Sequence, residues 1–389
     1  MHNRGVTENA GRHKTEYEKM IKLPEYIENL SRYVGGKPIE ELAREKGISK
    51  IVKLASNENA LGPSPLAMEA VKNNLNEIYR YPDPKCYELT KVIAGRFNIP
   101  QERIFVAGGS DAILQYILTT VCEKDDEVLT SQGTFIGWYV NSAKYNIKCV
   151  KTVMDDFSYD LEAILAAISD KTKIIYLANP NNPTGTIFTR KQFENFLERV
   201  PENILIVLDE AYTLYAGENP EYPDGLDYTK DNLFVSRTFS KDYGLAGLRI
   251  GAGFGDPQLV EALYKMKLPF EPNLLAQVGA IAALNDKEHI EKTIEMNRRS
   301  LNRFREAFDE IGLDYTKSYG NFLLLTFPES ETAAKFTNDC LDRGLILRHT
   351  VAFGVPNGVR INSAAESDTE FAIEVIREVM KKIEVIIDE

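Results

Sequence analysis

The sequence predicts an α/β fold: a large domain with a mostly parallel seven-stranded sheet and helices on both faces, joined to a smaller α+β domain. Short apolar runs alternate with helical patterns between about residues 100 and 255. Several of these runs are almost continuously apolar and β-branched, which is typical of strands buried on both faces of a parallel sheet. After Pro269 long helical patterns dominate and strands become few. This change predicts the second, smaller domain.

The strands of the predicted large sheet are short, and helices separate them. They are expected at residues 103–107, 127–130, 147–153, 173–178, 204–208, 232–236 and 249–253. Helical segments between them include residues 111–122 and 190–199. The glycines of segment 251–255 lack the spacing of a dinucleotide fingerprint, so we interpret them as a tight turn at a strand end. In sheets of this kind, ligands bind beyond the carboxyl ends of the strands.

The smaller domain is predicted to begin with a long helix. In order, we expect a helix at about 287–311, a strand at 321–327, a helix at 331–343, strands at 345–348 and 359–362, and an amphipathic helix from residue 368 onward. The chain is thereby divided into four parts: a disordered lead-in (1–20), an N-terminal arm that belongs partly to the small domain (21–60), the large domain (61–270) and the small domain (271–389).

The composition argues against several classes of function. The 389 residues carry 46 Lys and Arg against 58 Asp and Glu, a formal net charge of −12, which disfavours nucleic acid or an anionic membrane as the main partner. No apolar run reaches the ~18 residues of a membrane span, and the polar N-terminus lacks the apolar core of a secretory signal. The four cysteines form no C-x-x-C pair, and only His289 and His349 lie beyond the lead-in. We therefore expect a cytoplasmic protein without a metal site.

Polar residues follow several of the predicted strands. Residues 108–111 (GGSD) lead from the first strand into a helix, whose N–H groups either attract a phosphate or receive a cap. The polar loop 179–185 (NPNNPTG) follows the fourth strand, and Asp209 and Tyr212 follow the fifth. Because the carboxyl ends of parallel strands meet at one edge of a sheet, these groups are expected to lie close together.

Lys241 follows the sixth predicted strand, directly after Ser240, and Arg249 comes eight positions later. A lysine at a strand end is most often a solvated charge. A deprotonated lysine amine, however, condenses with aldehydes. To reach that state its pKa must fall from about 10, and burial and neighbouring cations lower it.

Together these residues match the needs of one cofactor, pyridoxal phosphate. It requires a phosphate cradle, a lysine for its aldehyde, a carboxylate that keeps the ring nitrogen protonated, and polar and aromatic contacts for the ring. The chain offers Ser110, Ser240 and Arg249 for the phosphate, Lys241 for the aldehyde, Asp209 for the ring nitrogen, Asn182 and Tyr212 for the phenolate oxygen, and Phe135 for the ring face.

The chain also resembles a known family from about Tyr33 to the C-terminal helix. The motifs that carry the resemblance are KLASNENALGPSP (53–65), GGSDAI (108–113), NPNNPTG (179–185), DEAY (209–212) and RTFSKDYGLAGLRIG (237–251). In this order and spacing they are similar to those of the class I/II aminotransferases of pyridoxal phosphate fold type I, and within that class to the histidinol-phosphate aminotransferases.

The resemblance implies a homodimer that moves an amino group from a small-molecule donor, nominally histidinol phosphate, to a 2-oxo acid acceptor such as 2-oxoglutarate. It implies that the catalytic residues are Lys241, Asp209 and Tyr212. The implied cofactor residues are Ser110, Asp111, Phe135, Asn182, Asp209, Tyr212, Ser240, Lys241 and Arg249, with Tyr81 contributed by the partner subunit. The implied substrate residues are Arg360 for a carboxylate, Tyr33 and Arg348 near a substrate phosphate, and Asn182.

Three other functions fit parts of this pattern. A phosphoamino-acid decarboxylase with the same cofactor, such as a threonine-phosphate decarboxylase, would share nearly all these residues. An aromatic amino acid aminotransferase is the second alternative. A regulatory module without catalysis is disfavoured, because no DNA-binding segment is recognised and every catalytic position is filled. The chain departs from the family pattern near the expected site at Ala60, Asp242, and segments 131–134 and 362–365.

Overall fold

A computed structural model describes residues 21–30, 47–48 and 50–387 of the chain. The predicted lead-in, residues 1–20, lies outside this described part. The strands are β1 (Val52–Lys53), β2 (Ile104–Ala107), β3 (Glu127–Ser131), β4 (Lys148–Thr152), β5 (Thr172–Ala178), β6 (Leu205–Asp209), β7 (Leu233–Thr238), β8 (Gly251–Phe254), β9 (Phe322–Thr326), β10 (Leu345–Ile346), β11 (Arg348–His349) and β12 (Gly358–Asn362).

The helices of the described residues are α1 (Glu25–Glu28), α2 (Pro65–Asn73), α3 (Tyr87–Phe97), α4 (Ser110–Val121), α5 (Ile136–Lys144), α6 (Leu161–Ala166), α7 (Arg190–Arg199), α8 (Thr213–Ala216), α9 (Pro257–Met266), α10 (Leu274–Asn285), α11 (Lys287–Glu310), α12 (Ser330–Leu341) and α13 (Glu366–Ile387). None of these helices combines the length and the apolar character that crossing a bilayer requires.

The large sheet has seven strands in the order β2-β8-β7-β6-β5-β3-β4. Strands β3 to β7 pair in parallel, whereas β8 is antiparallel to both of its neighbours. Each strand begins and ends within two residues of its predicted position. The predicted α/β fold class with a mostly parallel seven-stranded sheet is confirmed.

Helices cover both faces of this sheet, because alternate side chains of each strand point to opposite sides. In β5, Ile175 and Leu177 pack in one core and Ile174 and Tyr176 in the other. Helices α3, α7 and α10 supply side chains to the first core, and α4, α5 and α9 supply them to the second. Both faces of the sheet are therefore covered by helices, whereas the carboxyl ends of its strands remain available to bind a ligand.

The sequence predicts a strand at 249–253 and a tight turn of the glycines at its end, 251–255; the strand is found, but the turn is wrong. Residues Gly251–Phe254 form β8, which lies between β2 and β7. A Cβ atom at Gly253 would come within 2.2 Å of the ring of Phe234 on β7. The glycine makes room for an aromatic side chain of the neighbouring strand rather than for a turn.

The small α+β part has a core of its own. Strands β11, β12 and β9 form an antiparallel sheet, and β1 pairs in parallel with β10. Phe304 and Phe308 of α11, Phe336 of α12 and Ile376 of α13 pack in this core together with Val52 of β1. The N-terminal segment thus contributes a strand and an apolar side chain to the small part.

The single strand expected at 345–348 is wrong. Strand β10 pairs with β1, whereas β11 pairs with β12, so the chain passes from one sheet to the other at Leu347.

Helix α10 bears on the predicted boundary between the large and small domains. It lies after residue 270, but its Ala276 and Ala280 pack in a core of the large sheet. The predicted domain boundaries stay a prediction.

Candidate active site

The carboxyl edge of the large sheet opens into a cavity of about 270 Å³. Its walls come from the ends of β2, β5, β6 and β7, from Ser56, Asn57 and Glu58 of the N-terminal segment, and from the small part of the fold. The predicted site residues that line this cavity are Ser110, Asp111, Phe135, Asn182, Asp209, Tyr212, Ser240, Lys241, Arg249, Arg348 and Arg360.

Lys241 lies beyond the end of β7 and lines the cavity. Its Nζ atom donates a 2.9 Å hydrogen bond to the carbonyl oxygen of Ser56. Desolvation by burial lowers the pKa of Lys241 to about 8, and the positive charges of Arg360 and Arg249 act in the same direction. More of the amine is therefore neutral near pH 7 than in an ordinary lysine, and the neutral amine is the form that attacks a carbonyl carbon.

Asp209, the last residue of β6, is buried at the floor of the cavity. Its Oδ2 atom accepts a 2.8 Å hydrogen bond from the hydroxyl of Tyr176. Its Oδ1 atom is buried and has no hydrogen-bond partner among the described residues. Burial raises the pKa of Asp209 to about 6, so the carboxylate is mostly ionised at neutral pH and can pair with a cationic group.

The start of α4 and Arg249 form an anion cradle. Gly109 precedes the helix with a φ of 101°, and no side chain among the described residues caps the helix. A Cβ atom at Gly109 would come within 2.8 Å of Nη2 of Arg249, so only glycine lets the guanidinium approach the helix start. Nη1 of Arg249 also lies 3.4 Å from the hydroxyl oxygen of Ser240. Uncapped N–H groups, a hydroxyl and a guanidinium converge there, as phosphate binding requires.

Tyr212 also lines the cavity and is held by Asn57. The side-chain amide of Asn57 donates a 2.8 Å hydrogen bond to the hydroxyl oxygen of Tyr212. Asn57 itself has a φ of 54°, and its N–H donates to Oδ1 of Asn362 at 3.0 Å. Asn362, where the chain departs from the family pattern, therefore supports the orientation of Asn57 and through it that of Tyr212.

Arg348 and Arg360 are direct partners in the pairing of β11 with β12. Partners in an antiparallel pair project to the same face of the sheet, and both arginines line the cavity. Arg360 is buried. It donates to Oδ1 of Asn182 and, at 2.6 Å, to the carbonyl oxygen of Ala55. The small part of the fold thereby presents two guanidinium groups to one cavity.

Comparison with known proteins agrees with this geometry. Residues 49–377 match the family described as Aminotransferase class I and II. The chain belongs to this aminotransferase family. It is 38% identical over 358 residues to the histidinol-phosphate aminotransferase of Caldicellulosiruptor saccharolyticus, which covers 92% of this chain and 99% of the relative. It is 42% identical over 338 residues to histidinol-phosphate aminotransferase 1 of Mannheimia succiniciproducens, covering 86% and 92% of the two chains.

A solved structure shows the same architecture. The histidinol-phosphate aminotransferase of Sinorhizobium meliloti, in complex with pyridoxal-5'-phosphate, superposes with a TM-score of 0.86. It is 28% identical in sequence, and the match covers 93% of this chain and 98% of that one. The family that the motifs indicate and the expectation of an aminotransferase are both confirmed.

Among the described residues, one predicted site residue, Tyr81, does not line the cavity of this aminotransferase. Tyr33 lies outside the described residues. Tyr81 is 79% exposed and stacks on Phe270, with 4.2 Å between the ring centroids. The contacts within one chain therefore do not place Tyr81 against Lys241.

Sequence reasoning missed other residues of the site. Ser56, Asn57 and Glu58 line the cavity; they lie in the KLASNENALGPSP motif, which was the available signal, but no role was attached to them. Phe353 also lines the cavity, and no sequence pattern distinguishes it from a core residue. Within the described ranges of this aminotransferase, no group of three or more His, Cys, Asp or Glu side chains is arranged to hold a metal ion.

Proposed function

We propose that this aminotransferase uses pyridoxal phosphate to transfer the amino group of histidinol phosphate to 2-oxoglutarate. Relatives bearing the name histidinol-phosphate aminotransferase match nearly the whole chain at 38–42% identity, which supports this substrate pair. The observation that carries the proposal is the placement of Arg348 and Arg360 side by side above the cavity that contains Lys241 and Asp209.

The residues of the cavity fit the cofactor. Asp209 keeps one buried carboxylate oxygen without a partner among the described residues, which suits a protonated ring nitrogen. The cradle of α4, Ser240 and Arg249 has the space and the donors that a phosphate needs. When bound, pyridoxal phosphate would supply an aldehyde that takes up the substrate nitrogen and a ring that accepts electrons from the substrate Cα.

Each side chain then has a distinct task. Lys241 would hold the cofactor through its amine and, once released by the substrate, move the proton at the substrate Cα. Asp209 would stabilise the positive ring nitrogen, and Tyr212 and Asn182 would donate to the phenolate oxygen. Phe135, which lines the cavity at the start of α5, would pack on the ring face. Asp111 accepts from the side chain of Asn141 at 3.0 Å and would border the phosphate cradle.

The two arginines favour substrates with an anion near the reacting carbon. Like charges placed directly opposite each other on neighbouring strands repel, and an anion between them offsets that repulsion. In histidinol phosphate a CH2 group joins the amine-bearing carbon to the phosphate ester, and in 2-oxoglutarate a carboxylate is bonded directly to the keto carbon. The same arginines can therefore hold both substrates in turn.

The proposal includes a homodimer in which Tyr81 reaches the site of the partner subunit. Exposed apolar side chains surround Tyr81: Ile78 and Tyr79 beside it in sequence, and Leu268 next to its stacking partner Phe270. A cluster of this kind on a monomer surface is typical of a protein interface. Cytoplasmic localisation stays a prediction.

The test is a donor panel with the purified protein and 2-oxoglutarate. Histidinol phosphate, threonine phosphate and phenylalanine are compared, and both glutamate and carbon dioxide are measured. We expect the highest kcat/KM for glutamate formation with histidinol phosphate and no release of carbon dioxide. Carbon dioxide from threonine phosphate would replace the proposal by decarboxylation, and a preference for phenylalanine would replace it by aromatic transamination.

A further inference from the structure

Tyr176 is a fully buried residue of β5 that none of the roles above includes. Its hydroxyl donates a 2.8 Å hydrogen bond to Oδ2 of Asp209. Its ring stacks on the ring of Trp138 in α5, with 4.6 Å between centroids and 10° between planes. Both aromatic side chains have no exposed surface. Stacking on Trp138 therefore fixes the ring of Tyr176 while its hydroxyl contacts Asp209.

The strand register explains how the two residues meet. Ala178 of β5 is the direct partner of Asp209 on β6, and Tyr176 is the partner of Val207. Tyr176 is therefore the diagonal neighbour of Asp209, a separation that long aromatic side chains span. The carbonyl of Tyr176 accepts a 2.8 Å hydrogen bond from the hydroxyl of Thr130 on β3, which also fixes its backbone.

We infer that Tyr176 is a positioning residue that fixes Asp209 through Oδ2, so that Oδ1 is left to pair with the ring nitrogen of the cofactor. The inference rests on the proposed function, because it needs pyridoxal phosphate in this cavity. Two observations support it: Oδ2 is engaged by a rigid donor, and Oδ1 is buried without a partner among the described residues.

The electrostatics of the surroundings agree with this role. Asp209 interacts electrostatically with five nearby titratable groups, and each interaction shifts the pKa of at least one of the two partners. These groups are Tyr176, Asp111, Lys241, Tyr159 and Tyr212. Burial raises the pKa of Asp209 to about 6, and the hydrogen bond from Tyr176 is the largest opposing influence. Burial raises the pKa of Tyr176 well above 10, so its hydroxyl stays a donor at neutral pH. Without that hydroxyl, the pKa of Asp209 would rise further towards neutrality.

The test is Tyr176→Phe, which removes one hydroxyl and keeps the ring stacked on Trp138. Full-length protein is freed of cofactor and titrated with pyridoxal phosphate across a pH series, with binding followed by absorbance. Affinity should fall as the pH drops through the pKa of Asp209, because a protonated acid cannot neutralise a protonated ring nitrogen. In Tyr176→Phe we expect this fall at a higher pH, and a dissociation constant at neutral pH that is roughly 10- to 100-fold larger.

The matched control is Tyr159→Phe. Tyr159 is also buried at this edge of the sheet, but its hydroxyl donates to the side-chain oxygen of Thr134 at 2.6 Å. Tyr159→Phe should leave the pH of the fall where it is in the wild-type protein. An equal shift in both variants would overturn the inference, because the effect would then follow from losing any buried hydroxyl.

A double-mutant cycle with Asp209→Asn separates orientation from folding. If Tyr176 acts through the carboxylate, Tyr176→Phe should change affinity by less than about threefold in the Asp209→Asn background. Equal losses in both backgrounds would overturn the inference. The inference would also be overturned if the wild-type protein binds pyridoxal phosphate and the affinity of Tyr176→Phe falls at the same pH as that of the wild type. The proposed function would then still stand. Failure of the wild-type protein to bind pyridoxal phosphate would overturn both.

Discussion

Nζ of Lys241 donates a 2.9 Å hydrogen bond to the carbonyl oxygen of Ser56, a residue 185 positions earlier in the chain. The N-terminal segment therefore contacts the amine directly, and Ser56 lines the same cavity as Lys241. Desolvation and the charges of Arg360 and Arg249 disfavour the protonated form and bring the pKa of Lys241 to about 8.

The lowered pKa predicts the pH dependence of cofactor loading. Since only the neutral amine attacks the aldehyde, the rate at which cofactor-free protein incorporates pyridoxal phosphate should rise as the pH passes through about 8 and level off above it. Stopped-flow absorbance over a pH series measures this rate. A rate that climbs without levelling towards pH 10, as expected for an ordinary lysine, would contradict the desolvated environment.

Lys241→Ala should remove the covalent attachment of the cofactor and abolish transamination, because Lys241 is the lysine that lines the cavity in the described part of the chain. The wild-type protein should be yellow, and borohydride treatment followed by peptide mapping should find the cofactor on Lys241. Lys267→Ala is the matched control: burial lowers the pKa of this lysine too, but its amine donates to the carbonyl oxygens of Pro84 and Val106. Label on Lys267 would show that the wrong lysine was assigned.

The large sheet was predictable because its strands carry a strong local signal. The runs that became β5, β6 and β7 are nearly continuous in apolar residues, and polar residues directly after them mark the carboxyl edge. Helix α10 was missed for the opposite reason. Its sequence, LLAQVGAIAALN, is apolar on almost every side, so it has no polar face from which a helical period could be read.

The contacts that complete the site depend on distant parts of the chain. Asn57 reaches Tyr212 and is supported by Asn362, residues 155 and 305 positions away. Nothing in the local sequence indicates that Asn57 adopts a φ of 54°, which is a conformation that Asn tolerates better than most residues. The split of segment 345–348 into two strands likewise depends on β1, which pairs with only its first half.

Glu210 should be important for stability, because it forms a buried ion pair. Its Oε2 accepts from Nε and Nη2 of Arg237 at 2.9 and 2.6 Å, and its Oε1 accepts from the N–H of Gly225. Glu210→Ala removes a negative charge that offsets the buried guanidinium of Arg237. We therefore expect a loss of about 3–5 kcal/mol in the free energy of unfolding. Urea denaturation followed by circular dichroism measures this loss.

The control for this prediction is an exposed pair of similar geometry. Glu370 accepts from Nε and Nη2 of Arg303 at 2.7 and 3.0 Å, but both side chains are in contact with water. Glu370→Ala should cost less than about 1 kcal/mol. Equal losses for the two variants would mean that burial does not determine the strength of these pairs.

Tyr81 provides a test of the proposed dimer. If it completes the site of the partner subunit, Tyr81→Ala and Lys241→Ala should each be strongly impaired alone. Unfolding and refolding the two variants together would form mixed dimers in which one site has both residues intact, so activity should reappear. No recovery in mixtures that sedimentation shows to be dimeric would place the action of Tyr81 within its own subunit.

Arg348 tests how the substrate is recognised. Arg348 pairs with Arg360 across β11 and β12, and both line the cavity. Arg348→Ala should therefore raise the KM for histidinol phosphate roughly 10- to 100-fold, the loss expected for a hydrogen-bonded charge pair of about 1.5–3 kcal/mol. The KM for phenylalanine should change far less, because it has no phosphate. Arg303→Ala, which alters a guanidinium on the exposed surface, should affect neither donor. Equal losses for both donors with Arg348→Ala would contradict phosphate recognition and leave the aminotransferase assignment intact.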